Sequence, residues 1–332
     1  MNITLIPAPN GIGHVMRMLT LARILSEFNH KIELIIPSYS AAYFKSEIVN
    51  NLILIVIVPW EKNKIELYDD MSSYANKVKT IIKYDYIISD NLLEILKFGK
   101  KTLISSNFFW EDQGIKEEKN FSKNIIKIIK DKNVPIVTNR YFKSKSISKL
   151  NKTKQIGFFT TNLIEPQNKT GRNLLLSIGA SGWVSPKEMS EITTQLTKKL
   201  ISNYNMIYLD PRLFSFVDDT ILDNKKFQIA NYNDEMYSNI SDAIVRPGLS
   251  TLQNLIAVGA HIFPIKCGNS KEIEENSQII EDLRLGKVFS FSRCLSDVCQ
   301  HNLKPYSSAD FFSAKKEVED VFTDQKNFFV LQ

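Results

Sequence analysis

The chain of 332 residues is short of the side chains that staple or metallate small folds. Its three cysteines, Cys267, Cys294 and Cys299, are odd in number and form no Cys-x-x-Cys pair, and only four histidines accompany them. A disulfide framework and a structural zinc site are thereby excluded, and reduced thiols in a cytoplasmic protein are expected. Long hydrophobic runs are missing too. The longest, Leu52–Val58, falls far below the roughly 20 apolar residues of a bilayer-spanning helix and reads as a buried strand. Met1-Asn2-Ile3-Thr4 opens no basic stretch followed by an apolar one, so no signal peptide is expected. The adjacent pairs Asp69-Asp70 and Asp218-Asp219 send their side chains apart and make no Asp-x-Asp chelate, so no metal site is expected. Charge of one sign is not concentrated either. The net +6 arises from 42 Lys and Arg against 36 Asp and Glu, spread over many lysines, including the Lys143–Lys154 run. With no DNA- or RNA-binding motif, nucleic acid is not an expected partner. The excess reads as a solvated basic face, or as attraction to phosphorylated ligands or a peripheral membrane contact.

What is present is alternation. Hydrophobic residues make up 43% of the chain and charged residues 23%, ordinary for a soluble globular protein, and the length suits two domains of about 150 residues. Strand-like runs at Ile3–Pro7, Lys31–Pro37, Leu52–Pro59, Tyr84–Ser89, Thr102–Ser105 and Val134–Thr138 are separated mostly by helix-like stretches. In the first of these, His14–Phe28, the residues Val15, Met18, Leu19, Ala22 and Leu25 share one face. Around Asn162–Arg172 the texture turns polar, with Pro166 and Gly171, and reads as a linker. The alternation then restarts. Strands are expected at Asn173–Ile178, Met206–Leu209, Phe227–Ala230, Ala243–Arg246 and His261–Pro264. Helices are expected at Ser185–Asn203, Asp234–Ile240, Ser250–Val258, Glu272–Leu285 and Ala309–Phe322. Such order argues for an α/β protein of two mostly parallel sheets covered on both faces.

Three motifs fall at strand-to-helix turns. The first is Asn10-Gly11-Ile12-Gly13-His14-Val15-Met16-Arg17. Gly11 and Gly13 there allow a tight turn and close backbone approach, and the helix start offers open N–H groups. It lacks the third glycine of the dinucleotide fingerprint. A histidine on this loop points from the carboxyl edge of the sheet into the crevice, where a neutral imidazole could take a proton from a hydroxyl or water. The bland alternative is a helix-capping histidine. The second motif, Leu176-Ser177-Ile178-Gly179-Ala180-Ser181-Gly182, would leave amides open to a diphosphate or simply make a tight turn. The third runs from Tyr232 through Met236 and Asp242 to Arg246-Pro247-Gly248-Leu249-Ser250-Thr251-Leu252-Gln253-Asn254. A strand ends at Arg246, and Ser250 and Thr251 open a helix able to hold phosphate oxygens or merely capped by Ser250. Asn254, one turn on, could bond a ribose or sugar hydroxyl.

This third motif resembles the donor-binding region of GT-B glycosyltransferases, especially the family of MurG, the peptidoglycan N-acetylglucosaminyltransferase. Gly248, Thr251 and Asn254 fall on that family's Gly-x-x-Thr-x-x-Glu, Ile262–Ile265 on its next strand, and Glu272, Glu275, Asn276 and Ser277 on its loop and helix start. The Gly179–Gly182 turn resembles its second glycine-rich loop. The first motif is similar both to the Gly-Gly-His loop of these transferases and to the Gly-x-Gly-His-x-x-Arg of the UDP-sugar hydrolase of pseudaminic acid synthesis. Either resemblance nominates His14 as general base and leaves the nucleophile, hydroxyl or water, open. Asn254 departs from the family glutamate that accepts bonds from ribose. A UDP-sugar is therefore the leading donor and a CMP-sugar the alternative. The segment before the first loop is shorter than in the hydrolase, which favours transfer.

The resemblance implies two Rossmann-like domains with parallel sheets facing a central cleft. Residues 1–165 would bind the acceptor and residues 172–308 the nucleotide sugar, with residues 309–332 crossing back. Donor contacts would come from Gly11, Gly13, Gly179, Ser181, Gly182, Tyr232, Met236, Arg246, Gly248, Ser250, Thr251, Asn254, Glu275 and Asn276. A glycan or lipid-linked acceptor would meet Asp90, Asn107, Trp110, Glu111 and Asp112. Asp90 could instead be a helix N-cap, and Phe108, Phe109 and Trp110 could be core. Metal independence and inversion are further implications. The rivals are a nucleotide-sugar hydrolase and a non-catalytic nucleotide-sugar-binding subunit.

Overall fold

The computed structural model describes residues 1–9, 11–44, 51–60, 67–108, 127–131, 133–150, 153–157, 171–178, 186–211, 213, 217, 225–265, 271–290 and 321. The chain divides into two units, Met1–Thr161 with Ser313–Gln332, and Asn162–Phe312.

The first unit is built on seven strands: β1 (Asn2–Pro7), β2 (Lys31–Pro37), β3 (Ile53–Val58), β4 (Tyr86–Asp90), β5 (Lys101–Ser105), β6 (Ile136–Asn139) and β7 (Thr153–Ile156). Their order is β3-β2-β1-β4-β5-β6-β7, and every neighbouring pair is parallel. The central strands are buried along nearly their whole length, the pattern of a sheet covered on both faces. Helix α1 (Ile12–Glu27) packs Val15, Met18, Leu19, Ala22 and Leu25, each at most 1% exposed, against β1, β2 and β3. It stops where Asn29 takes a left-handed φ of 59°, a conformation asparagine tolerates better than most residues. Helix α2 (Leu67–Lys79) buries Met71, Tyr74, Ala75 and Val78 in a second cluster that includes Ile6, Ile35 and Ile87. A single turn, α3 (Lys145–Ser148), is capped by Ser144, whose side chain accepts from the Ile147 N–H. The seventh strand is unexpected: Thr-Lys-Gln-Ile has one buried side chain and no apolar alternation, and it exists because β6 offers its backbone edge. Val321, helical and 1% exposed, belongs to the core cluster of this unit.

The second unit has five parallel strands, β8 (Asn173–Ser177), β9 (Met206–Leu209), β10 (Phe227–Ile229), β11 (Asp242–Val245) and β12 (His261–Pro264). Their order is β10-β9-β8-β11-β12. Its helices are α4 (Pro186–Leu200), α5 (Asp234–Asn239), α6 (Leu249–Ala257) and α7 (Lys271–Asp282). The core gathers Leu174, Leu176, Leu196, Leu200, Ile207, Leu209, Ile244 and Phe263.

In each sheet the chain first builds outward on one side and then returns to the other side of its first strand. The reversals lie between β1 and β4 and between β8 and β11. Open α/β sheets bind ligands beyond the carboxyl ends of the strands at such points. Among the described residues, no helix is long and apolar enough to cross a membrane.

Candidate functional site

In the first unit, β1 pairs with β4 so that Pro7 stands opposite Asp90, and the Ala8 N–H donates to the Asp90 carbonyl, 2.8 Å. The end of β4 is thereby fixed beside the loop that leads into α1. Gly11 is the N-cap of α1, with no side-chain capping bond. Its φ of −166° is extended backbone open to any residue, and a Cβ there would meet His14 Cδ2 at an ordinary 3.7 Å. The tight turn expected of this glycine is therefore not what requires it. The expected helix also begins earlier, so His14 lies inside the first turn and does not cap it.

One turn of helix puts His14 and Arg17 on the same face, both turned to Asp90. The three side chains are buried, at 8%, 9% and 0% exposure. Arg17 Nε donates to Asp90 Oδ2 at 3.0 Å and Nη2 to Oδ1 at 3.1 Å, with Nη2 also 2.8 Å from Oδ2. His14 Nδ1 lies 3.2 Å from Asp90 Oδ2 and 2.8 Å from Arg17 Nη2. Burial pushes the Asp90 carboxyl up, but the charge of Arg17 and its hydrogen bonds, with His14 beside them, overcome it and hold it below the usual carboxylate range. Asp90 is an ionised partner of His14 and ends a strand; it is not a helix N-cap. The carboxylate beside His14 is thus Asp90; Trp110, Glu111 and Asp112 lie outside the described residues.

Asn91 follows directly, in the left-handed region at φ 59°. Its Oδ1 accepts from the Ser106 hydroxyl at 2.9 Å, while its buried Nδ2 has no hydrogen-bond partner. A buried, unmatched donor costs about 1–3 kcal/mol. Asn107 is committed within the protein: its Oδ1 accepts from the Asn139 N–H at 2.7 Å and Thr138 Oγ1 at 3.2 Å, joining the ends of β5 and β6. Phe108 is core, and Phe109 lies outside the described residues.

In the second unit, the carboxyl ends of β8, β9 and β11 bring together residues distant in sequence. The Ser177 hydroxyl donates to Asp210 Oδ2 at 2.9 Å, and Tyr232 OH reaches the same oxygen at 2.6 Å. Burial, then the Asp210 charge, pushes the Tyr232 phenol well above its ordinary value, so it remains a donor. This bond anchors a backbone at φ 54°, strained for an aromatic residue. Asn233 then caps α5 by accepting from the Met236 N–H at 2.8 Å, and Met236 is core. Tyr237, raised to about 12 by burial, is hydrogen-bonded by Asn254. Asn254 therefore faces α5 within its own unit. The Arg246 N–H donates to the Ser177 carbonyl at 2.9 Å, and Asn276 Nδ2 donates to the Pro247 carbonyl at 2.8 Å. Asn276 thus holds the Arg246–Gly248 turn in place. The N-cap of α6 is Gly248, not Ser250, and it makes no side-chain cap bond. Its φ is −75°, and a Cβ there would meet nothing within 4 Å. Ser250 and Thr251 lie half-buried in the first turn of α6, and Glu275 half-buried on α7. Gly13 lies half-buried in the first turn of α1. Gly179, Ser181 and Gly182 fall outside the described residues.

Asp210 was not singled out from the sequence, while Arg17 and Ser177 stood in the motifs and Asn91 beside Asp90 without a role of their own. The i to i+3 spacing of Arg17 from His14 was a legible signal. Asp210 and Ser177 carry only the weaker one of polar residues ending apolar strands.

No known-family model matches the chain, and no curated protein matches it. Solved structures do. Phytolacca americana UGT2, complexed with UDP-2fluoro-glucose and pterostilbene, is 10% identical with a TM-score of 0.66, covering 98% of this chain and 96% of that one. Arabidopsis thaliana UGT89C1 complexed with quercetin is 11% identical with a TM-score of 0.64, covering 99% and 96%. CalG4, the calicheamicin glycosyltransferase, is 12% identical with a TM-score of 0.57, covering 97% and 93%. At such identities the likeness concerns the fold: two Rossmann-like units of the GT-B kind.

Proposed function

We propose that the chain is a glycosyltransferase that moves a sugar from a nucleotide-activated donor to a hydroxyl acceptor with inversion at the anomeric carbon. The observation that carries this reading is the His14–Asp90 pair, with Nδ1 3.2 Å from Oδ2 at the point where the first sheet reverses its order. A histidine buried beside an ionised carboxylate there is equipped to take a proton. In the proposed step, the His14 Nδ1–H faces Asp90 and Nε2 removes the proton of the acceptor hydroxyl. The acceptor oxygen attacks the anomeric carbon as its bond to the leaving phosphate oxygen breaks. The nucleotide departs with that electron pair, and the proton on His14 passes to solvent. Asp90 stabilises the imidazolium that forms.

The nucleotide is assigned to the second unit. The open space over Gly248 at the start of α6 supports phosphate binding there, since unpaired N–H groups and the helix dipole favour an anion. The UDP-sugar complex of Phytolacca americana UGT2 supports a UDP-sugar over a CMP-sugar. The likeness of Gly248–Asn254 to the MurG family supports a glycan or lipid-linked acceptor in bacterial surface-glycan synthesis, with the protein in the cytoplasm or peripheral on the inner membrane face.

The Gly-x-Gly-His-x-x-Arg of the first loop favours a second reading, hydrolysis of the nucleotide sugar, and one experiment separates the two. Wild type and His14→Ala are incubated with UDP-, CMP-, GDP- and dTDP-sugars without acceptor, and free nucleotide is followed. The transferase reading expects slow release and a raised melting temperature with one nucleotide. Fast release from one donor, lost in His14→Ala, makes the protein a hydrolase.

A further inference from the structure

His14 Nδ1 has two claimants, and it can satisfy only one of them. Asp90 Oδ2, at 3.2 Å, can only accept, so it needs a proton on Nδ1. Arg17 Nη2, at 2.8 Å, can only donate, so it needs a lone pair there. A neutral imidazole carries one N–H, and whichever partner prevails decides which nitrogen has it.

Asp90 does not depend on His14 for its hydrogen bonds. Arg17 already approaches it side-on through Nε at 3.0 Å and Nη2 at 3.1 Å. The Nη2 group has a second hydrogen, and with the first on Asp90 the second is available for His14 Nδ1. The contact to Arg17 is also the shorter of the two, and burial of all three side chains leaves little water to take the place of either partner.

We infer that Arg17 is a positioning residue that holds His14 in the Nε2–H tautomer, so that the resting imidazole is a donor at Nε2 and becomes a base only when Arg17 releases Nδ1, which then takes a proton from solvent to face Asp90 while Nε2 gives its own proton up to solvent. The inference rests on the reading of His14 as general base. It adds a control to that site: with the proton on Nε2, the ring cannot accept one from water, and an activated sugar would be spared hydrolysis until the site rearranges. Arg17 acts through His14 and needs no contact with substrate to do so.

The tautomer can be read without any donor or acceptor. Long-range proton–nitrogen correlation spectra of ¹⁵N-labelled protein distinguish a protonated ring nitrogen from an unprotonated one. With four histidines in the chain, the His14 signals are assigned by their loss in His14→Gln. In alkaline buffer, where imidazole side chains are neutral, wild-type His14 is expected to show Nε2 protonated. In Arg17→Met the pattern should invert, with the proton on Nδ1 facing Asp90. Should Arg17→Met fail to fold because Asp90 is left as a buried, uncompensated charge, Arg17→Lys keeps a cation beside Asp90 without the guanidinium fork, and the same inversion is expected. A wild-type spectrum with the proton on Nδ1, or a folded Arg17 variant whose pattern matches wild type, would overturn the inference. Absence of turnover with every nucleotide sugar would instead remove the transferase and hydrolase readings while leaving the tautomer result standing.

Discussion

Glu94 offers a direct test of how burial and charge are balanced next to the site. It lies in the short helical turn Leu93–Phe98 that follows β4, and it is 4% exposed. Its neighbours Leu93 and Leu96 join Ile104, Ile129, Val134, Ile136 and Ile147 in an apolar cluster. Burial raises its carboxyl from 4.5 to about 7, with only partial relief from a backbone hydrogen bond and the Lys97 charge. A folded-state value above the unfolded one means that the protein favours the protonated form. The contribution of Glu94 is fully present below pH 4.5 and is lost as the pH rises through 7. A shift of this size corresponds to roughly 3 kcal/mol once the group is fully ionised. Glu94→Gln keeps the shape and cannot ionise, so the variant should gain on wild type steadily between pH 5 and pH 8, by about 3 kcal/mol at the end. Urea unfolding monitored by tryptophan fluorescence in a Trp183→Phe background suits the measurement. Trp60 and Trp110 fall within the range of the first unit and Trp183 within that of the second. Asp90 does not confuse this window, because its lowered carboxyl costs stability only as the pH falls through and below the usual carboxylate range. A difference between variant and wild type that stays constant from pH 5 to pH 8 would refute the reasoning.

Two substitutions probe the second unit. Tyr232→Phe removes the 2.6 Å bond to Asp210 and should destabilise this unit by about 1–3 kcal/mol, seen as an earlier urea transition reported by Trp183. Gly286→Ala would drive a Cβ into the backbone carbonyl of Ile262, its bridge partner. A loss of about 3 kcal/mol or more is expected, and a variant that unfolds at the wild-type urea concentration would show that the backbone there can yield.

Much of the architecture is legible in local pattern. The strands Met206–Leu209 and His261–Pro264 coincide with the apolar runs that announce them, because a strand buried on both faces needs little else. The face of α1 was readable from Val15, Met18, Leu19, Ala22 and Leu25, since helical spacing is a property of the chain alone. The seventh strand was not readable, because Thr153–Ile156 takes its conformation from the neighbouring edge of β6 and not from its own side chains. The glycines were legible as a motif but not in their reason. Gly11 and Gly248 adopt backbone angles any residue could, and only the surroundings show that a tight turn is not the explanation.

For the site, the division is sharper. The sequence by itself determined that His14 falls near the start of a helix after a short apolar strand and that Arg17 shares its face, because three to four residues make one turn. It also placed small and polar residues at the ends of the strands of both halves. It placed Asp90, Glu111 and Asp112 among the acceptor-side residues and gave no means of telling which would face His14. Only the tertiary structure decided that Asp90, 73 residues from Arg17, is the partner, because the parallel pairing of β1 with β4 sets Asp90 opposite Pro7. The same is true of Asp210, which lies 33 residues from Ser177 and 22 from Tyr232 and meets them only where β8 and β9 lie side by side. Helix periodicity is written in neighbouring residues; which strand lies beside which is set by the packing of the whole sheet.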